Sequence, residues 1–169
     1  VVAIDAAART VALSDGSSLP YDRLILAPGV EFTDAYGLTQ ADYAERTPHA
    51  WQAGPQTTLL ATQLAGMQNG TFVMTIPKAP YRCPPGPYER ACLVADYLKT
   101  YRGAASRVVV LDENAAIQAE RETFEHAFGV THAGVIRYEA GVTGIRIDPQ
   151  TRRVSYLDAV GNPQVIDAQ

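Results

Sequence analysis

The chain has 169 residues, enough for one ordinary domain or a small domain with an appendage, with 47% apolar and 19% charged residues and a net charge of −4. That composition excludes fibrous, collagenous and disordered classes, and the acidic balance argues against nucleic acid as a partner, because phosphate binding draws its affinity from clustered Lys and Arg. No apolar run approaches the ~20 residues needed to span a bilayer, and no charged start followed by an apolar stretch forms a signal peptide.

Residues 1–29 read as a β-meander, with strands over 1–5, 10–13 and 19–21 separated by turn-rich segments. An apolar strand over 23–27 follows and stops at Pro28 and Gly29. Residues 31–53 lack sustained periodicity and read as a connector. Gly54 and Pro55 open a helix with Leu59, Leu60, Leu64 and Met67 on one side, closed by Asn69 and Gly70. From Thr71 the pattern alternates: strand 71–76, helix about 87–101, strand 107–111, helix about 115–128, strand 135–138. That alternation predicts a parallel sheet with crossover helices, an α/β, Rossmann-like class. Residues 142–167 return to short strands and turns, a second β-meander.

The two meanders echo each other. Ile4 and Asp5, then Arg9, Thr10 and Val11, match Ile147 and Asp148, then Arg152, Arg153 and Val154, at identical spacing. This predicts an internal repeat, against the alternative that hairpins resemble one another.

The segment 77–90 joins the first parallel strand to its helix, where a nucleotide-binding domain carries its phosphate loop. Glycines let backbone N–H groups approach a pyrophosphate there. This loop has prolines at 77, 80, 84, 85 and 87 and a single glycine, Gly86. Each proline removes a donor and fixes φ, so the loop argues against NAD. Asp112 and Glu113 close the next strand where a ribose-binding acid would sit, but without a phosphate site they read as exposed acids at a strand end. No Gly-rich sequence ending in Lys-Ser or Lys-Thr occurs, which excludes a P-loop NTPase.

Cys83 stands beside Arg82 and just before a helix N-terminus, two features that favour thiolate, with Arg82 the candidate thiolate stabiliser. From the residues alone, a redox thiol and an inert cysteine both remain open. Cys92, on the following helix, reads as a packing residue; a Cys83–Cys92 bridge is the alternative and requires Cα atoms within about 7 Å. Glu89 suits the positive end of the helix dipole. Tyr81 and Tyr88 bracket the cysteine and either wall a cofactor face or pack. His126 and His132 lack a metal-ligand partner, so no metal site is expected, and His49 and Trp51 carry no assignable chemistry.

Three segments, Tyr81 to Ala91, Pro48 to Gly54 and Tyr21 to Gly29, carry a family likeness. The chain resembles the flavoprotein subunit of flavocytochrome c sulfide dehydrogenase, a relative of sulfide:quinone oxidoreductases in the pyridine nucleotide-disulfide oxidoreductase superfamily. The resemblance implies that residues 1–30 are the tail of an FAD-binding domain, that 31–53 connect, and that 54–169 form an NAD-like domain carrying the redox cysteine. It implies FAD but no NAD, with Ala27, Pro28 and Gly29 at the FAD-domain crossover. It implies a redox disulfide between Cys83 and a cysteine outside this chain, facing the flavin. Sulfide is the implied substrate, a c-type cytochrome the implied electron acceptor and the periplasm the implied location. The expectation is an internal piece of a longer enzyme, opening on Val1 without Met, that neither holds FAD nor acts alone. The rival readings are a quinone-linked enzyme and a non-catalytic docking module for a haem subunit.

Overall fold

A computed structural model describes all 169 residues, which form two compact units, Val1–Thr33 and Asp34–Gln169. The first unit is an antiparallel meander of β1 (Ala3–Asp5), β2 (Thr10–Ala12) and β3 (Ser18–Pro20). Asp5 Oδ1 accepts the N–H groups of Ala7 and Ala8, which tightens the first turn and sets the pairing Asp5↔Thr10. The strand expected over 23–27 does not form. A strand needs a neighbour to share its backbone donors and acceptors with, residues 23–27 pair with none of β1 to β3, and Ile25 stays 91% exposed.

In the second unit the stretch read as a connector contains α1 (Gln40–Glu45). Thr39 caps it reciprocally with Asp42, and its Tyr43 is buried. Then come α2 (Pro55–Gly66), β4 (Thr71–Ile76), α3 (Gly86–Tyr101) and β5 (Arg107–Asp112), close to the expected bounds. The next helix is shorter than expected. Residues 113–120 form a loop, Glu120 takes a left-handed φ of 48°, and only then does α4 (Arg121–His126) begin, passing into a π-helical turn, Ala127–Thr131. The loop nevertheless buries Ile117 in the same cluster as Phe124 and Phe128, so its apolar side chain packs inward without helical backbone.

β6 (Ile136–Ala140) completes a parallel sheet in the order β4-β5-β6. β7 (Thr143–Asp148), β8 (Arg153–Leu157) and β9 (Pro163–Asp167) form the second meander. The class is therefore mixed α/β, a Rossmann-like parallel sheet with an antiparallel appendage, as expected. Side chains alternate across β5: Val108 and Val110 join Ala91, Val94 and Leu98 of α3 with Phe124 and Phe128, whereas Val109 and Leu111 join Val142, Ile145, Val154 and Tyr156. Helices thus cover one face, as same-handed crossovers require, and the meander covers the other. Sequential order with both faces buried accounts for the unbroken run Val108 to Leu111.

Candidate active site

The loop between β4 and α3 is held by the far end of β5. Asn114 Nδ2 donates to Pro77 O at 2.9 Å, and Asn114 Oδ1 accepts from Ala79 N at 2.9 Å, next to a cis Ala79–Pro80 peptide. Glu113 accepts from Lys78 N and from the Tyr36 hydroxyl. Beneath them lies Asp112, which is wholly buried. Its Oδ1 takes the backbone and side-chain N–H groups of Asn114 at 2.8 and 2.7 Å, and its Oδ2 takes the hydroxyls of Tyr88 and Tyr138, each at 2.8 Å. The expectation of exposed acids therefore fails for Asp112. A carboxylate with four donors is compensated for burial, and it fixes both ends of the loop, through Asn114 and through Tyr88 on α3.

Tyr88 also accepts from Gln118 N at 3.1 Å, and burial followed by its bonds to Tyr81 and Asp112 drives its ionisation well above the usual tyrosine range. Tyr81 Oη lies 3.4 Å from both Tyr88 Oη and Pro84 O. Of the two aromatics flanking the cysteine, Tyr88 packs in the core and Tyr81 at its margin.

Cys83 is exposed and adopts a φ of 58°, a region that a residue with a Cβ enters at a cost of about 1–3 kcal/mol and that recurs at functional sites. Its carbonyl accepts from Gly86 N at 3.0 Å, closing a turn that delivers the chain into α3. That contact uses the amide of the loop's one glycine. Cys92 is half-buried, and burial with the Glu89 carboxylate nearby pushes its thiol up. Both cysteines are free thiols.

Sequence reasoning left His49 and Trp51 without a role, yet the structure brings their segment onto α3. Arg90 donates from Nη1 to His49 O at 2.6 Å and from Nη2 to Ala50 O at 2.7 Å, and its Cζ lies 3.5 Å from the centroid of the Trp51 ring. Arg90 was missed as an anchor. A helix-borne Arg opposite a Trp in a separate motif is a weak signal until the two are known to meet. The capping pattern Thr39 to Asp42 was the detectable signal for the local order upstream.

Residues 57–167 match the family model described as the central part of the sulfide dehydrogenase [flavocytochrome c] flavoprotein chain. The chain belongs to this family. Its fold is also similar to the sulfide:quinone oxidoreductase of the hyperthermophilic bacterium Aquifex aeolicus, with a TM-score of 0.62, 21% identity and coverage of 98% of this chain and 38% of that one. A chain in the structure of Tetrahymena thermophila mitochondrial ATP synthase is similar at a TM-score of 0.58 and 15% identity, covering 95% of this chain and 42% of that one. The chain thus spans about two fifths of the length of these structures.

Within this flavocytochrome c sulfide dehydrogenase fold, Cys83 and Arg82 both lie exposed on the loop before α3. Ala27, Pro28 and Gly29 belong to the other compact unit, where they are exposed and Gly29 has a φ of 80°. No three His, Cys, Asp or Glu side chains are grouped closely enough to hold a metal ion. No helix is long and apolar enough to cross a membrane.

Proposed function

We propose that this chain is the part of an FAD-dependent sulfide dehydrogenase that supplies one half of a redox disulfide, Cys83, with the partner cysteine outside residues 1–169. The observation that carries this reading is Cys83 itself: an exposed cysteine held at a left-handed φ in the turn just before a 16-residue helix, in a chain of the sulfide dehydrogenase flavoprotein family. Arg82, exposed beside Cys83 in the loop, is the proposed cationic neighbour of the reacting sulfur.

Hydrosulfide attacking such a disulfide forms one S–S bond and breaks another, leaving a persulfide on one cysteine and a thiolate on the other. FAD, when bound, supplies the acceptor for the electron pair. The residues in the strand-to-helix turn do not fit a dinucleotide pyrophosphate: prolines replace donors, the Gly86 amide is bonded to Cys83 O, and the Asp112 carboxylate is filled by four internal donors. This supports electron flow without NAD. Ala27, Pro28 and Gly29 belong, on this reading, to the flavin-binding side. A c-type cytochrome is the proposed acceptor and the periplasm the proposed setting.

A second reading, with quinone as acceptor, is favoured by the likeness to a sulfide:quinone oxidoreductase. Assay of the full-length, flavin-loaded enzyme with cytochrome c against a soluble quinone separates the two. For either acceptor, Cys83→Ser lowers the rate of sulfide oxidation by about 10²-fold or more, because the disulfide that hydrosulfide attacks can no longer form. Unchanged turnover in that variant ends the proposal.

A further inference from the structure

The segment 48–54 and the cysteine loop meet at one point, Gly86. A Cβ placed on Gly86 would lie 3.0 Å from Cys83 Sγ and 3.4 Å from Cζ3 of Trp51. The bare glycine therefore faces both the sulfur and the indole edge, and a methyl group there would press on the sulfur. The indole is not free to leave. Arg90 covers its ring at 3.5 Å and donates to the two carbonyls that precede Trp51. The amides of the same turn are also engaged: Ala50 N donates to Gln56 Oε1 at 3.0 Å and Trp51 N to His49 Nδ1 at 3.1 Å. Ala50 is buried and has a φ of 51°, so this turn is held by its partners and not by intrinsic preference. Burial lowers the Arg90 guanidinium from its ordinary value.

We propose that Arg90 and Trp51 are positioning residues for Cys83: the guanidinium clamps the indole, and the indole edge with Gly86 seats the sulfur of a cysteine whose backbone is itself in a strained conformation. The seat closes the side of the sulfur toward the ring and leaves the solvent side to a small anionic sulfur nucleophile. This rests on the reading of Cys83 as the reacting thiol. It also makes Trp51, the one tryptophan in the chain, an optical reporter of that thiol.

The test uses the whole chain with Cys92→Ser, so that Cys83 is the single thiol. The Cys83 thiolate attacks methyl methanethiolsulfonate, forming a Cys83–S–CH3 disulfide and releasing methanesulfinate, with the thiol proton passing to solvent. Tryptophan emission is followed during the reaction. The expected result is a loss of emission that tracks modification of Cys83 and is absent with Cys83→Ser. Arg90→Met reduces that loss by about twofold or more, and Arg90→Lys does not restore it, since an ammonium cannot reach both carbonyls in the planar two-pronged way. Gly86→Ala is the second variant. Alanine favours the helix that begins there, so the fold persists while the new methyl group displaces the sulfur or the ring and shifts the emission of the unmodified chain. Emission indifferent to Cys83 modification, or Arg90→Met and Gly86→Ala both behaving like the parent, overturns the proposal. The optical result does not depend on sulfide turnover. A Cys83→Ser enzyme that still oxidised sulfide would remove the functional reading while leaving the emission pattern intact.

Discussion

At Asp112, four hydrogen bonds converge on one buried carboxylate, and the sequence offered no hint of them. An acid at the end of an apolar strand reads as a solvated strand end, since its three partners, Tyr88, Asn114 and Tyr138, lie up to 26 positions away. Cys83 was legible as chemistry from its neighbours, but its left-handed φ was not, because nothing about Cys before two prolines demands it. Asp112→Asn places an amide donor among donors, and we expect it to cost about 2–4 kcal/mol of folding free energy. Urea unfolding measures this directly. A midpoint unchanged from the parent would show that the tyrosines find other acceptors.

The repeated hairpin is the element that the sequence described best. Asp148 Oδ1 accepts from Gln150 N and Thr151 N as Asp5 Oδ1 accepts from Ala7 N and Ala8 N. Arg152 has a φ of 57° where Arg9 has 53°. The pairing after each turn is also the same, Asp148↔Arg153 and Asp5↔Thr10. Short-range turn chemistry is local, so it survives being read from a string. The strand expected over 23–27 and the early start expected for α4 failed because both depend on what lies alongside. Arg152 is exposed and gains nothing visible from its left-handed backbone. Arg152→Gly therefore stabilises the second unit by about 0.5–1 kcal/mol, while Asp148→Ala destabilises it through the loss of two amide partners. Thermal melts of the two variants should move in opposite directions.

On the scale of the whole molecule, buried tyrosines tie the layers of the second unit together and set its response to alkali. Burial first, then the bond to Asp112, raises Tyr138 far above its ordinary range, and Tyr88 is raised likewise. Tyr156 is pushed up to about 12 by burial and by the hydrogen bond to Glu139. In the unfolded chain these groups ionise near pH ~10. Between that value and their folded ones, the unfolded state has released protons that the folded state retains. The stability they contribute is complete below pH ~10 and declines as pH rises, by about 1.4 kcal/mol per unit for each such tyrosine. Urea midpoints at pH 8, 9 and 11 should hold between the first two and drop at the third, with a shallower drop for Tyr88→Phe. The parallel sheet and its crossovers were legible because their apolar runs are long. The division of labour between its faces became visible only once the helices and the meander had been placed.

That division bears on how the chain can change length. Every apolar side chain of β5 belongs to one core or the other, Val108 and Val110 to the helical side, Val109 and Leu111 to the meander side. One residue inserted anywhere in that run would exchange the contents of both cores at once, whereas an insertion at the exposed turn of residues 159–163 displaces nothing buried. Insertions and deletions are thus barred from the centre of the sheet and admitted at the tips of the meander, where new loops, and new surfaces, can be acquired without refolding what lies beneath.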